Sequence, residues 1–159
     1  MFLARFDAGS MAELTKQQAD RLAVTSEMNL RYAYFQADIE FSASGIEREV
    51  FRRTPVLDFM FCLLLAAQHV KASEEGTISF TENDMTIKIE PAGETEMSGD
   101  RRLAVVRSWD PRVGECTMSE LIQGVALFAE SGMADILARY PAFEQNPTRS
   151  KLEQLRAAL

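Results

Sequence analysis

A chain of 159 residues is the length of one domain, and at that size about 69% of the unfolded surface is buried on folding, so a core forms without disulfide or metal staples. Apolar residues at 47%, charged residues at 26% and ten Phe exclude a disordered chain. Seventeen Lys and Arg against 24 Asp and Glu leave a net charge of -7, which excludes a sequence-independent grip on phosphate backbones, so no nucleic-acid partner is expected.

Met1-Phe-Leu-Ala-Arg-Phe-Asp7 lacks the basic stretch and apolar run of a secretory signal. Cytoplasmic location is expected, where Cys62 and Cys116 are reduced thiols and two cysteines cannot supply a structural zinc site. Met11, Leu14, Ala19 and Leu22 fall near helical spacing, which predicts a weakly amphipathic N-terminal helical extension over residues 1–27, loosely attached. Met11 and Met28 are candidate alternative starts, because the patterned domain begins at Asn29.

From Leu30 the period is two, with Leu30, Tyr32 and Tyr34 in one register and Phe35, Ala37, Ile39 and Phe41 in the other, a strand with a bulge near Tyr34. Ser42-Ala-Ser-Gly45 is turn chemistry and Ile46 to Arg53 a second strand, completing a hairpin. Thr54 as cap and Pro55 at the first helical position start a helix running to Ala72. Between Val56 and Ala67 its only polar residue is Asp58, so it lies buried across the sheet; twelve residues reach about 18 Å, too short for a hydrocarbon core of about 30 Å, and no membrane partner is expected. Ile78 and Phe80, then Met85, Ile87 and Ile89, form a second hairpin around Glu82-Asn-Asp84. Residues 91–100 read as an exposed loop, and Arg102 to Trp109 as a fifth strand closed by Asp110-Pro111. Thr117-Met-Ser-Glu120 is a capping box for a helix that stops at Gly132, followed by a short helix from Met133 to Tyr140 and a last one after Asn146-Pro147 carrying Leu152, Leu155 and Leu159. The expected fold is α+β: one antiparallel sheet of about five strands in the order β-β-α-β-β-β-α-α-α, helices mainly on one face, a core over residues 28–145 and a C-terminal helix over 146–159.

Residues 74 to 100 hold Glu74, Glu75, Glu82, Asp84, Glu90, Glu94, Glu96 and Asp100 against Lys88 alone, a local charge equal to that of the whole chain. Such a field either solubilises a hairpin or steers a basic partner. Glu82-Asn-Asp84-Met-Thr-Ile lacks the central Gly of an EF-hand loop and returns straight to strand, so no metal is expected, and none of the phosphate-, dinucleotide-, zinc- or serine-nucleophile signatures occurs. Asp58, Cys62 and His69 share a helix face, but seven residues separate thiol from imidazole by about 10 Å, too far for a nucleophilic pair. Arg107 and Trp109, with Ser108, Asp110 and Arg112, have the composition of a binding hot spot, and the simpler reading is an aromatic capping the core beside an arginine paired to a neighbouring strand.

The succession of hairpin, Thr54-Pro55-started apolar helix, Phe80-Thr-Glu-Asn-Asp84 hairpin, Ser108-Trp109 strand and Ser119-Glu-Leu-Ile122 helix, over about Met28 to Phe143, resembles that of the small acidic immunity proteins that neutralise toxins in bacterial competition. The resemblance implies no catalysis and no cofactor, and a cognate, often basic, toxin domain as partner. The function expected is therefore a non-catalytic protein-binding module whose partner-binding residues are Glu82, Asp84, Glu94, Glu96, Arg107 and Trp109. Two alternatives stay open: a small-ligand protein or enzyme with a pocket between the sheet and the C-terminal helices, and a homo-oligomer exchanging a terminal helix.

Overall fold

The alternation in Phe2-Leu-Ala-Arg-Phe6 is that of a strand, and in the computed structural model these residues form β1 (Phe2–Phe6), burying Phe2 and Ala4 and turning Arg5 outward to pair with Glu40. The structure describes all residues but Glu96 and Ser98, and leaves the side chains of Glu94 and Thr95 undescribed. Instead of one five-stranded sheet there are two antiparallel ones. β1 joins β2 (Gln36–Ala43) and β3 (Ile46–Pro55) in the order β1-β2-β3; β4 (Gly76–Ser79), β5 (Thr86–Thr95), β6 (Arg101–Arg107) and β7 (Asp110–Thr117) make the second in sequence order. They meet at a corner, where Ser44 N–H donates to the Glu115 carbonyl at 3.1 Å and Glu115 N–H to the Ser44 carbonyl at 2.8 Å.

Two strands escape the sequence pattern for physical reasons. β7 follows Asp110-Pro111, which reads as a stop, yet β7 ends its sheet and an edge strand tolerates a proline without an N–H to donate. The residues expected to form a loop from 91 continue β5 to Thr95, because beyond Ile89 that strand has no β4 partner and Pro91 again lies where only one side is paired.

The helices are α1 (Lys16–Asp20), α2 (Glu27–Ala33), α3 (Val56–Lys71), α4 (Met118–Arg139) and α5 (Pro147–Ala157). Residues 1–27 do not form the loose helix expected of them: β1 is followed by a short α1 capped by Thr15 and by buried Met11 and Leu22. What reads as a bulge near Tyr34 is the end of α2, where Phe35 adopts φ 52° and turns the chain into β2. Thr54 is not a cap, since β3 runs through Pro55 and the first N–H of α3 donates instead to the Phe35 carbonyl at 3.1 Å. α3 ends with Ser73 at φ 66°, Ser73 N–H donating to Val70 and Glu74 N–H to His69, a left-handed cap on a residue other than glycine. The capping box of Thr117 with Glu120 forms as expected, and Asn146, ahead of the last helix, caps α5 by accepting from Thr148 N–H.

α4 does not stop at Gly132. A Cβ there would lie 2.7 Å from the Met60 methyl and 3.3 Å from Phe6, so this glycine admits neighbours to the helix flank and does not terminate it. α4 is the described helix long and apolar enough to cross a bilayer, and its buried stripe of Leu121, Val125, Phe128 and Ile136 faces the core, with α3 and β1 packed against it. α3 packs on β4 and touches β2 and β3, so α3 and α4 together bridge the two sheets. Their junction is an aromatic chain: Phe6 to Phe128 at 5.9 Å, Phe128 to Phe59 at 5.5 Å, Phe59 to Phe80 at 5.9 Å.

β4 crosses α3 almost backbone to backbone. A Cβ on Gly76 would sit 2.5 Å from the Ala66 carbonyl oxygen and 2.9 Å from its carbonyl and α carbons, atoms that move only with the whole helix. Gly76→Ala is therefore expected to lose about 1–3 kcal/mol through overpacking, read as a lower urea midpoint at an unchanged m-value.

Candidate functional site

Three segments of the chain converge where β3 of the first sheet passes beside the second. β3 supplies Phe51, the residue after β4 supplies Phe80, and the β6–β7 turn supplies Trp109, all partly buried. The ring centroids lie 4.6 Å apart for Phe51 and Phe80, 5.8 Å at 89° for Phe51 and Trp109, and 6.3 Å for Phe80 and Trp109. Above the two Phe rings runs an open groove of about 350 Å³, walled by Val50 to Arg52, Thr54 and Pro55 of β3 on one side and Phe80 to Asn83 on the other. It lies between the two sheets, not between a sheet and the C-terminal helices.

The lips differ in charge. Arg52, its side chain exposed, pairs across its own sheet with Asp38 at 2.8 Å, and the same carboxylate accepts from Arg53 N–H at the bulge where Arg53 takes φ 50°. On the opposite lip Asn83 Oδ1 accepts from Met85 N–H at 2.9 Å, a side-chain turn that sets Glu82 and Asp84 outward on either side of it. Glu74 is paired with His69 at 2.8 Å and Glu75 with Lys88 at 2.9 Å. Glu82, Asp84 and Glu90, by contrast, have no ion-pair partner among the described residues.

Of the residues expected to bind a partner, Glu82 lines the groove, Asp84 stands beside it, and Trp109 backs its floor. Glu96 and the side chain of Glu94 lie outside the described residues. Arg107 is not on the surface: its side chain is 1% exposed, between Glu49 of β3, which it contacts closely, and Asp110 at 3.2 Å, with its guanidinium 6.0 Å from the Trp109 ring. It ties β6 to β3 under the aromatic floor. Hydrogen bonds from Arg112, and then the Arg107 charge, hold the Asp110 carboxyl far below the usual aspartate range.

Asp58, Cys62 and His69 do not form a catalytic set, since each is engaged elsewhere. Asp58 accepts from Arg31 at 2.8 Å, Cys62 Sγ faces the Ser79 carbonyl at 3.8 Å, and His69 pairs with Glu74. Burial pushes the Asp58 carboxyl above its usual value although Arg31 pulls against it, and burial likewise raises the Cys62 thiol and carries Cys116 up to about 12. Both thiols are thus held protonated and poorly nucleophilic. Among the described residues no group of three or more His, Cys, Asp and Glu could hold a metal ion.

Phe51 and Phe80 are the site residues that sequence reasoning passes over. Their apolar alternation marks them as core-facing positions, while the meeting of Phe51 from β3 with Phe80 just beyond β4 depends on how the two sheets cross. No family model matches this chain, and neither a curated protein nor a solved structure does.

Proposed function

We propose that the protein is a non-catalytic protein-binding module, an inhibitor or immunity protein that holds a basic partner, such as a toxin domain, through its acidic residues Glu82, Asp84, Glu94 and Glu96. The observation that carries this reading is the placement of exposed Glu82 and Asp84, without an ion-pair partner among the described residues, at the mouth of a groove floored by Phe51 and Phe80. An aromatic patch with charge at its rim is the anatomy of a protein interface, and the rim charge acts mainly on encounter. The free thiols Cys62 and Cys116 suit a reducing, cytoplasmic setting.

The test is affinity capture from the native host, using the full chain and a variant with Glu82, Asp84, Glu94 and Glu96 changed to Lys. One stoichiometric basic protein is expected, lost as salt rises and not retained by the variant, whose association at low salt should be slower by about 10-fold or more. Equal capture by both chains, with the same salt dependence, would overturn the acidic-edge reading.

A further inference from the structure

We infer that the groove between β3 and the Phe80–Asn83 segment is a receptor for one cationic side chain, an arginine or lysine carried by the partner, with its alkyl stem over Phe51, Phe80 and Pro55 and its charge on Glu82. This deepens, and rests on, the protein-binding reading above. The floor is apolar and aromatic, two Phe rings in contact at 4.6 Å, with Val50 left 40% exposed along the β3 wall. Such a surface suits the methylene stem of a long basic side chain, and the ring faces attract its charge.

Charge selects the occupant. An anion entering the groove would find Arg52 already held by Asp38 at 2.8 Å, and would face the Glu82 carboxylate on the other lip. A cation finds Glu82 with no competing ion-pair partner among the described residues, and gains a charge-assisted contact. At about 350 Å³ the groove is at the low end of small-molecule pockets, a size that fits one extended side chain with its flanking backbone. The chain uses the same chemistry internally: Arg31 lies 4.6 Å from the Phe61 ring centroid while pairing with Asp58.

Trp109 is the only tryptophan and touches both floor rings, so its emission reports on the groove. The full chain is titrated with the blocked peptide acetyl-Val-Arg-Val-amide and with its citrulline analogue, which keeps the shape and removes the charge. Saturable quenching or shift is expected with the arginine peptide, together with amide shift changes at Val50, Phe51 and Phe80 to Asn83. Affinity should fall about tenfold for the citrulline peptide and for Glu82→Gln, the loss of one charge-assisted contact. Equal binding of the two peptides, an unchanged affinity of Glu82→Gln with a native melting curve, or no saturation by the arginine peptide would overturn the proposal. Capture by Asp84→Lys separates the two readings: a partner lost with Asp84→Lys but kept with Glu82→Gln leaves the acidic edge standing and removes the receptor groove. Peptide binding without any captured partner does the reverse.

Discussion

A chain beginning at Met28 is expected to lose the cooperative unfolding transition of the full chain. Removing residues 1–27 takes away β1, which pairs with β2 from Phe2 opposite Ala43 to Phe6 opposite Ile39, and leaves Ile39 and Phe41 on an uncovered edge. Phe2 packs edge-on to Phe41 at 5.5 Å and Phe6 to Phe128 at 5.9 Å, while Met11 and Leu22 are 5% and 1% exposed. The buried Asn146 amide loses both of its acceptors, the Leu22 carbonyl at 2.8 Å and the Thr25 carbonyl at 2.9 Å. Each large apolar side chain removed from a core costs about 2–5 kcal/mol, and several together exceed the roughly 5–15 kcal/mol by which a domain is stable. Urea titration followed by near-ultraviolet circular dichroism decides the matter. A sharp transition within about 2 kcal/mol of the full chain's would show that the N-terminal strand is ornamental to the fold.

That segment shows where sequence pattern loses its grip. Five residues of alternation at Phe2–Phe6 are too few to stand out beside the helical spacing of Met11, Leu14 and Leu22, although pairing with β2 makes them a strand. Thr54-Pro55 satisfies the local rule for a helix start, yet β3 needs both residues opposite Ala37 and Gln36, and tertiary pairing overrides the local preference. Where chemistry is local the pattern is legible: the Thr117–Glu120 box, the helix that follows Asn146-Pro147, the β4–β5 hairpin and the long buried α3 are all visible in the residues themselves.

The candidate site divides along the same line. Glu82 and Asp84 are legible because Asn83 between them closes a local turn. Phe51 and Phe80 are not, since the groove exists only because the two sheets join at the Ser44–Glu115 corner and then diverge. Arg107 beside Trp109 has the composition of an exposed hot spot, and composition cannot distinguish that from an arginine lying under the aromatic with two carboxylates around it.

Arg107→Met is expected to destabilise the domain by about 3 kcal/mol, the lower end of the range for removing one member of a buried ion pair. Methionine fills the space, but Glu49 loses the cation between it and Asp110, which keeps its pair with Arg112 at 2.7 Å. The lower end applies because those carboxylates remain 24% and 18% exposed, and because the guanidinium makes ion pairs without well-aligned hydrogen bonds. The pH dependence identifies the cause. In the native chain the depressed Asp110 carboxyl contributes stability that is complete above the ordinary aspartate range and is lost as pH falls through its lower folded value. In the variant the mutual repulsion of Glu49 and Asp110 acts in the opposite sense, so protonating either one relieves it and the deficit against the native chain narrows as pH falls below about 5. Adding Glu49→Gln to Arg107→Met should restore part of the loss at neutral pH, giving a non-additive double-mutant cycle. A deficit that is independent of pH and additive with Glu49→Gln would mean that Arg107 acts through packing alone. The floor under Trp109 would then be a hydrophobic contact, and the tie between β6 and β3 would owe nothing to charge.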